Sequence, residues 1–165
     1  FNVLGPLSNP ARPKRQLVGV GSKALGALVA EALALRGMER ALVVHSSDGL
    51  DEISPAAPTH GWLVEAGRVS ERELRPREFG LLEHPLSAVL GGGPEENAAT
   101  LKAVLDGAEG PMADFTLMNA AAALYVAGVA EDFSDGMLRA REAIASGRAK
   151  AVQEEYVALT QEVMA

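Results

Sequence analysis

The sequence predicts an α/β domain, a mostly parallel sheet with covering helices. Three observations point there. Two short apolar, β-branched runs at residues 16–20 and 41–45 flank a helical stretch, and strand, helix and strand in about 30 residues make a βαβ unit with parallel, buried strands. The last third of the chain carries apolar residues at helical spacing with few breaks. The 165 residues, 48% hydrophobic and 22% charged, suit one globular domain.

Each element follows from its local pattern. Residues 1–15 hold Gly5, Pro6, Pro10 and Pro13, and are expected to be irregular. Residues 23–36 place Leu25, Leu28, Val29, Ala32, Leu33 and Leu35 at helical spacing, with Gly37 as a C-terminal stop. Residues 46–58 are polar and turn-rich, a loop leaving the C-terminal end of the second strand. Residues 59–64 and 68–74 read as a hairpin around Glu65-Ala66-Gly67, with Trp62 and Val64 on one face. Residues 76–90 are ambiguous. Gly91-Gly92-Gly93-Pro94 is a break, and residues 95–105 form a helix with proline at its start and acids in its first turn. Residues 114–130 are apolar enough for a helix buried all round. Residues 135–146 and 148–165 are amphipathic helices separated by Gly147, with Ser134 or Asp135 as the N-cap of the first.

Composition excludes several functions. Without cysteine the chain holds no thiol nucleophile, cysteine-ligated zinc or iron–sulfur cluster. Twenty-two acidic against 15 basic residues give a net charge of -7, which argues against a basic nucleic-acid-binding face. The longest apolar run, residues 120–130, is too short for the roughly 20 residues that span a bilayer. No basic segment precedes an apolar stretch, so no signal peptide is read. The chain opens on Phe1 and reads as a piece of a longer cytoplasmic protein.

The sharpest motif is Asp48-Gly49-Leu50-Asp51-Glu52, three carboxylates in five residues after an apolar strand. Ligands of open parallel sheets bind beyond the carboxyl ends of the strands. Magnesium takes one or two carboxylates together with substrate phosphates. Asp51 and Glu52 are neighbours, so they converge on one ion only from a turn or a helix start, and Gly49 favours a turn. The competing reading is a solvated acidic loop with Asp51 capping a short helix. Gly19-Val20-Gly21-Ser22-Lys23-Ala24 fits the G-x-G-x-x-A dinucleotide fingerprint, but His45 and Ser46 stand where its acidic residue belongs. Gly91-Gly92-Gly93 resembles a phosphate loop, yet Glu95 and Glu96 would repel a phosphate there. His45, His60 and His84 lack metal-ligand spacing and read as packed or loop histidines. Ser46 and Ser47 lack the context of a nucleophile. Arg12, Lys14 and Arg15 form a small basic cluster, either a solvated turn or a contact to a phosphate or a neighbouring domain.

Three stretches carry a more specific likeness. Phe1-Asn2-Val3-Leu4-Gly5-Pro6-Leu7-Ser8-Asn9-Pro10-Ala11, then Val43-Val44-His45 through Asp48-Gly49-Leu50-Asp51-Glu52-Ile53-Ser54, then Asn119-Ala120-Ala121-Ala122-Ala123-Leu124-Tyr125-Val126-Ala127-Gly128 resemble, in the same order, signatures of the anthranilate phosphoribosyltransferases. The likeness runs over the whole chain.

That resemblance implies a nucleoside phosphorylase/phosphoribosyltransferase type of catalytic domain. It also implies transfer of the phosphoribosyl group of phosphoribosyl pyrophosphate to anthranilate, with release of pyrophosphate, in tryptophan biosynthesis. Asp51 and Glu52 match the family's acidic pair, which binds Mg2+ at the diphosphate. Residues 1–165 would be the C-terminal portion of the large α/β domain. The helical N-terminal domain, through which members form homodimers, the glycine-rich diphosphate loop and the arginine for the anthranilate carboxylate would all precede Phe1. Ser46 departs from the pattern, standing where glycine is common. A non-enzymatic relative and a nucleoside phosphorylase on the same fold are the alternatives.

Overall fold

The computed structural model describes residues 4–164. A short helix, α1 (Leu4–Ser8), leads to β1 (Arg15–Gly19), α2 (Lys23–Leu35) and β2 (Arg40–Ser46). The hairpin β3 (Thr59–Glu65) and β4 (Arg68–Leu74) follows. Two 3-10 turns, Pro76–Phe79 and Leu86–Ala88, bridge to α3 (Pro94–Leu105), α4 (Pro111–Ala127), α5 (Phe133–Ala145) and α6 (Arg148–Met164). Part of the leading segment expected to be irregular is thus helical, because Pro6 falls in the first turn, where its missing N–H costs no helical bond. Residues 1–3 of that segment, and residue 165 of the last helix, lie outside the described residues.

The strands form one sheet in the order β1-β2-β3-β4, and this corrects the expected mostly parallel sheet. Only β1 and β2 run parallel, Arg15 facing Arg40 through to Gly19 facing Val44. The β2–β3 and β3–β4 pairs are antiparallel. Parallel pairing needs a crossover, usually a helix, and only α2 supplies one. The segment 47–58 has no helix to carry the chain back across the sheet, so β3 returns alongside β2. The two-residue turn at Ala66-Gly67 then enforces a second antiparallel pair. Both turn residues have positive φ, 51° and 74°, the handedness that matches strand twist in a tight hairpin.

Burial on both faces explains the unbroken apolar run of β2. Ala41 and Val43 pack on the α2 side with Val29, Leu33, Trp62 and Val64. Leu42 and Val44 pack on the other side with Leu74, Met118, Ala121 and Val126. The trough in α2 at Gly26 receives the Trp62 ring, and a Cβ there would overlap it. The α4 helix is not buried all round: Ala123 and Ala127 face solvent, while Ala113, Leu117, Met118, Ala121, Ala122 and Val126 face the core. Alanine serves either surface, so composition alone does not orient such a helix. Gly136 of α5 comes close enough that a Cβ would sit 2.7 Å from the Ala121 carbonyl. The N-cap of α5 is Asp132, which accepts from Asp135 N–H at 2.8 Å, rather than Ser134 or Asp135. The buried Phe133 draws the helix start forward.

The C-terminal end of α4 is tied to the starts of β1 and β2. Arg40 donates to the Tyr125 carbonyl at 3.0 Å, lies 4.8 Å from the Tyr125 ring centroid and hydrogen-bonds Glu65 at 2.7 Å. Arg15 donates to the Ala127 carbonyl. These cations meet carbonyls of the last helical turn, at the negative end of its dipole. Among the described residues, no helix is long and apolar enough to cross a membrane.

Candidate functional site

Residues 47–58 leave the C-terminal end of β2 and fold over the rim of the sheet beside the end of β1. The buried polar side chains among the described residues, Ser46, Ser54 and Thr59, all belong to this loop or its base. Buried polar groups require partners, and these have them. Ser54 Oγ donates to Asp48 at 2.6 Å and accepts from Ala56 N–H at 3.0 Å. Thr59 Oγ1 accepts from Ser54 N–H at 3.0 Å. Ser46 Oγ donates to the Pro58 carbonyl at 3.4 Å, so the serine that departs from the family pattern helps close the loop's base. Main-chain bonds from Ser46 N–H to Leu50 O (2.8 Å) and from Gly49 N–H to Ser46 O (3.0 Å) make the turn.

The three carboxylates divide by role. Asp48 turns inward. Burial acts to raise its pKa, but the Ser46 and Ser54 hydroxyls and the Leu50 N–H favour the charged form and hold it below the ordinary aspartate value. Asp51 and Glu52 face outward and are exposed. Partial burial and the adjacent Asp51 charge push the Glu52 pKa up, so the pair carries a mutual repulsion that a cation would relieve. Among the described residues no group of three or more histidine, aspartate or glutamate side chains could hold a metal. An ion on this pair would complete its shell with water and ligand oxygens. That donor set fits magnesium, which seldom takes an all-protein cage.

Gly19 sets the loop's height above the sheet. A Cβ there would overlap the Asp51 carbonyl, so the glycine of the apparent dinucleotide fingerprint is filled by the protein's own backbone. Ser22 caps α2 through its side chain, accepting from Leu25 N–H. The Gly91-Gly92-Gly93 segment is likewise closed on itself: Asn97 accepts from Gly92 N–H at 2.8 Å and donates to its carbonyl at 3.1 Å. An open groove of about 440 Å3 runs beside Glu52, lined by Leu50, Leu90, Leu101, Met112 and Phe115.

The remaining candidates have structural partners. His45 Nδ1 donates to the Val20 carbonyl at 2.9 Å. His60 lies 6.2 Å from the Trp62 ring, and His84 pairs with Asp114 at 2.8 Å. Arg15 of the basic cluster is taken up by Glu39 and α4. Sequence reasoning missed Ser54, Thr59 and Asn119 as builders of the loop. The available signal was Asn119 itself, a carboxamide between Met118 and four alanines in an apolar helix.

Known proteins resemble this chain in sequence and in fold. Anthranilate phosphoribosyltransferase from Desulfatibacillum aliphaticivorans is 48% identical over 162 residues, 98% of this chain and 48% of that protein. The solved anthranilate phosphoribosyltransferase from Thermus thermophilus superposes with a TM-score of 0.83 at 43% identity, over 96% of this chain and 46% of that one. The enzyme from Saccharomyces cerevisiae, solved in complex with PRPP and Mg, superposes at 0.80 and 35% identity, over 92% of this chain and 44% of that one. The chain therefore spans about half the length of the relatives it matches. A family described as "Glycosyl transferase family, a/b domain" matches residues 1–150. Since that span takes in β1, β2, β3 and α4, the elements that hold the acidic loop in place, the chain belongs to this glycosyl transferase family, through its a/b domain.

Proposed function

We propose that the protein containing this chain transfers the phosphoribosyl group of phosphoribosyl pyrophosphate to the amine of anthranilate. The bond from C1 to the diphosphate oxygen breaks, a C1–nitrogen bond forms, and pyrophosphate leaves. The observation that carries this reading is the pair Asp51 and Glu52, side by side on a braced loop at the rim of the sheet. The relative from Saccharomyces cerevisiae, solved with PRPP and Mg, supports the same substrate and ion.

In this reading Asp51 and Glu52 hold magnesium. A bound magnesium ion offsets the negative charge that grows on a departing diphosphate. The chain's own contribution is preorganisation. Asp48, Ser54 and Thr59 fix the turn, and Gly19 lets it settle on the sheet, so the two carboxylates are placed before any ligand arrives. An aromatic amine attacks without prior deprotonation, and positioning supplies much of the remaining acceleration. The diphosphate loop, the anthranilate pocket and the homodimer contact belong, in this reading, to the part of the protein that this chain does not include.

The test uses the full-length protein. Asp51→Ala is expected to lower turnover on the order of 100-fold or more at ordinary magnesium. In calorimetry, phosphoribosyl pyrophosphate should bind the parent protein more tightly with magnesium than without it. Unchanged turnover in Asp51→Ala, or binding indifferent to magnesium, overturns the assignment.

A further inference from the structure

We propose that Asn119 is a positioning residue for the acidic pair, setting the direction of Asp51 and Glu52 through the peptide that follows them. The inference rests on the reading of those two side chains as ion ligands and adds the device that aims them.

The geometry is specific. Asn119 lies midway along α4, and its side chain reaches the main chain of the loop at Ile53. Ile53 N–H donates to Asn119 Oδ1 at 2.9 Å, and Asn119 Nδ2 donates back to the Ile53 carbonyl at 3.0 Å. The carboxamide thus pairs with Ile53 as a neighbouring strand residue would. The N–H belongs to the peptide joining Glu52 to Ile53, and the carbonyl to the peptide joining Ile53 to Ser54. Fixing both leaves little freedom in the backbone immediately after Glu52.

A third bond makes the arrangement directional. Asn119 Nδ2 also donates to the Phe115 carbonyl, one turn earlier in α4, at 3.0 Å. Both amide hydrogens are then committed to carbonyls and the oxygen is left for Ile53 N–H. The carboxamide has one orientation that satisfies all three bonds. The helix behind it is itself anchored, with its C-terminal end held by Arg40 and Arg15 and its buried face in the core. Ile53 is fully buried against α4, so apolar packing already holds the loop down. The amide contributes what packing does not, a fixed rotation of the peptides next to the acids. Groups that orient metal ligands without touching the metal change affinity by about 10- to 100-fold when removed.

The test compares Asn119→Ala and Asn119→Ser with Asp51→Ala in the full-length protein. Mn2+ serves as the probe, with binding followed by electron paramagnetic resonance in the presence of phosphoribosyl pyrophosphate. Both Asn119 variants are expected to bind Mn2+ about 10-fold or more weakly, with the KM for anthranilate unchanged. A misfolded fraction would lower the number of sites per chain but not the affinity of those that remain, so loss of stability is separated from loss of aim. Asn119 variants with parental Mn2+ affinity, beside an Asp51→Ala that binds weakly, overturn the inference alone. Parental affinity in Asp51→Ala overturns the acidic-pair reading and the inference with it.

Discussion

At the scale of single residues, the loop shows how one sequence motif can hold two kinds of carboxylate. Asp48 and Asp51 are three positions apart, yet one is bonded into the turn and the other faces outward. Adjacency and the family resemblance singled out Asp51 and Glu52, but spacing alone did not show that Asp48 turns inward. What separates them is Ser54, whose importance depends on a turn that only the folded chain displays. The same hydroxyl yields a pH prediction. The folded-state pKa of Asp48 lies below its ordinary value. Its contribution to stability is therefore present above the unfolded-state pKa, about 4, and is lost as pH falls through the lower folded-state value. Ser54→Ala removes a donor to the carboxylate. We expect the variant to be less stable at about pH 7 and the gap to narrow as pH falls below the ordinary aspartate value of about 4 and on through the lower folded-state value, below which both proteins carry a protonated Asp48. Acid titrations of the full-length protein followed by circular dichroism measure this, and a gap constant across that range would refute the assigned role.

At the scale of elements, the βαβ unit, the hairpin and α3 through α6 were legible because each carries its own period and its own punctuation. The polarity of the sheet was not. A βαβ unit fixes one parallel pair and says nothing about the next strand. Here the next strand is set by a helix-free loop of residues 47–58 and by Ala66-Gly67. The start of α5 was misplaced because Asp132, Ser134 and Asp135 are all good caps, and the choice was made by burial of Phe133. Asn119 was readable as an anomaly in an apolar helix, but its partner lies 66 residues away. The hairpin gives an element-level prediction. Ala66 occupies a left-handed conformation, φ 51°, which asparagine tolerates better than alanine. Ala66→Asn is expected to stabilise the full-length protein by about 1 kcal/mol, measured by denaturant titration. A destabilisation would mean that the turn is held by something other than its backbone.

At the scale of the whole molecule, the two borders of the sheet differ. The outer strand β4 carries Arg68, Glu71, Arg72 and Glu73 within seven residues, mostly exposed, and charge on an outer strand discourages pairing with another chain. On the opposite border, β1 carries no charged residue after Arg15, and among the described residues no strand lies beyond it. One margin of the sheet is thus guarded and the other is adhesive. A polypeptide limited to residues 1–165 is expected to dimerise or aggregate through β1, and a charged substitution at the polar position of that strand, Gln16→Lys, to suppress this in sedimentation velocity. A monomer at high concentration would count against that. If the margin behaves as described, its stickiness is a matter of housekeeping during synthesis: while β1 stays uncovered, the emerging chain is open to pairing with a stranger's strand.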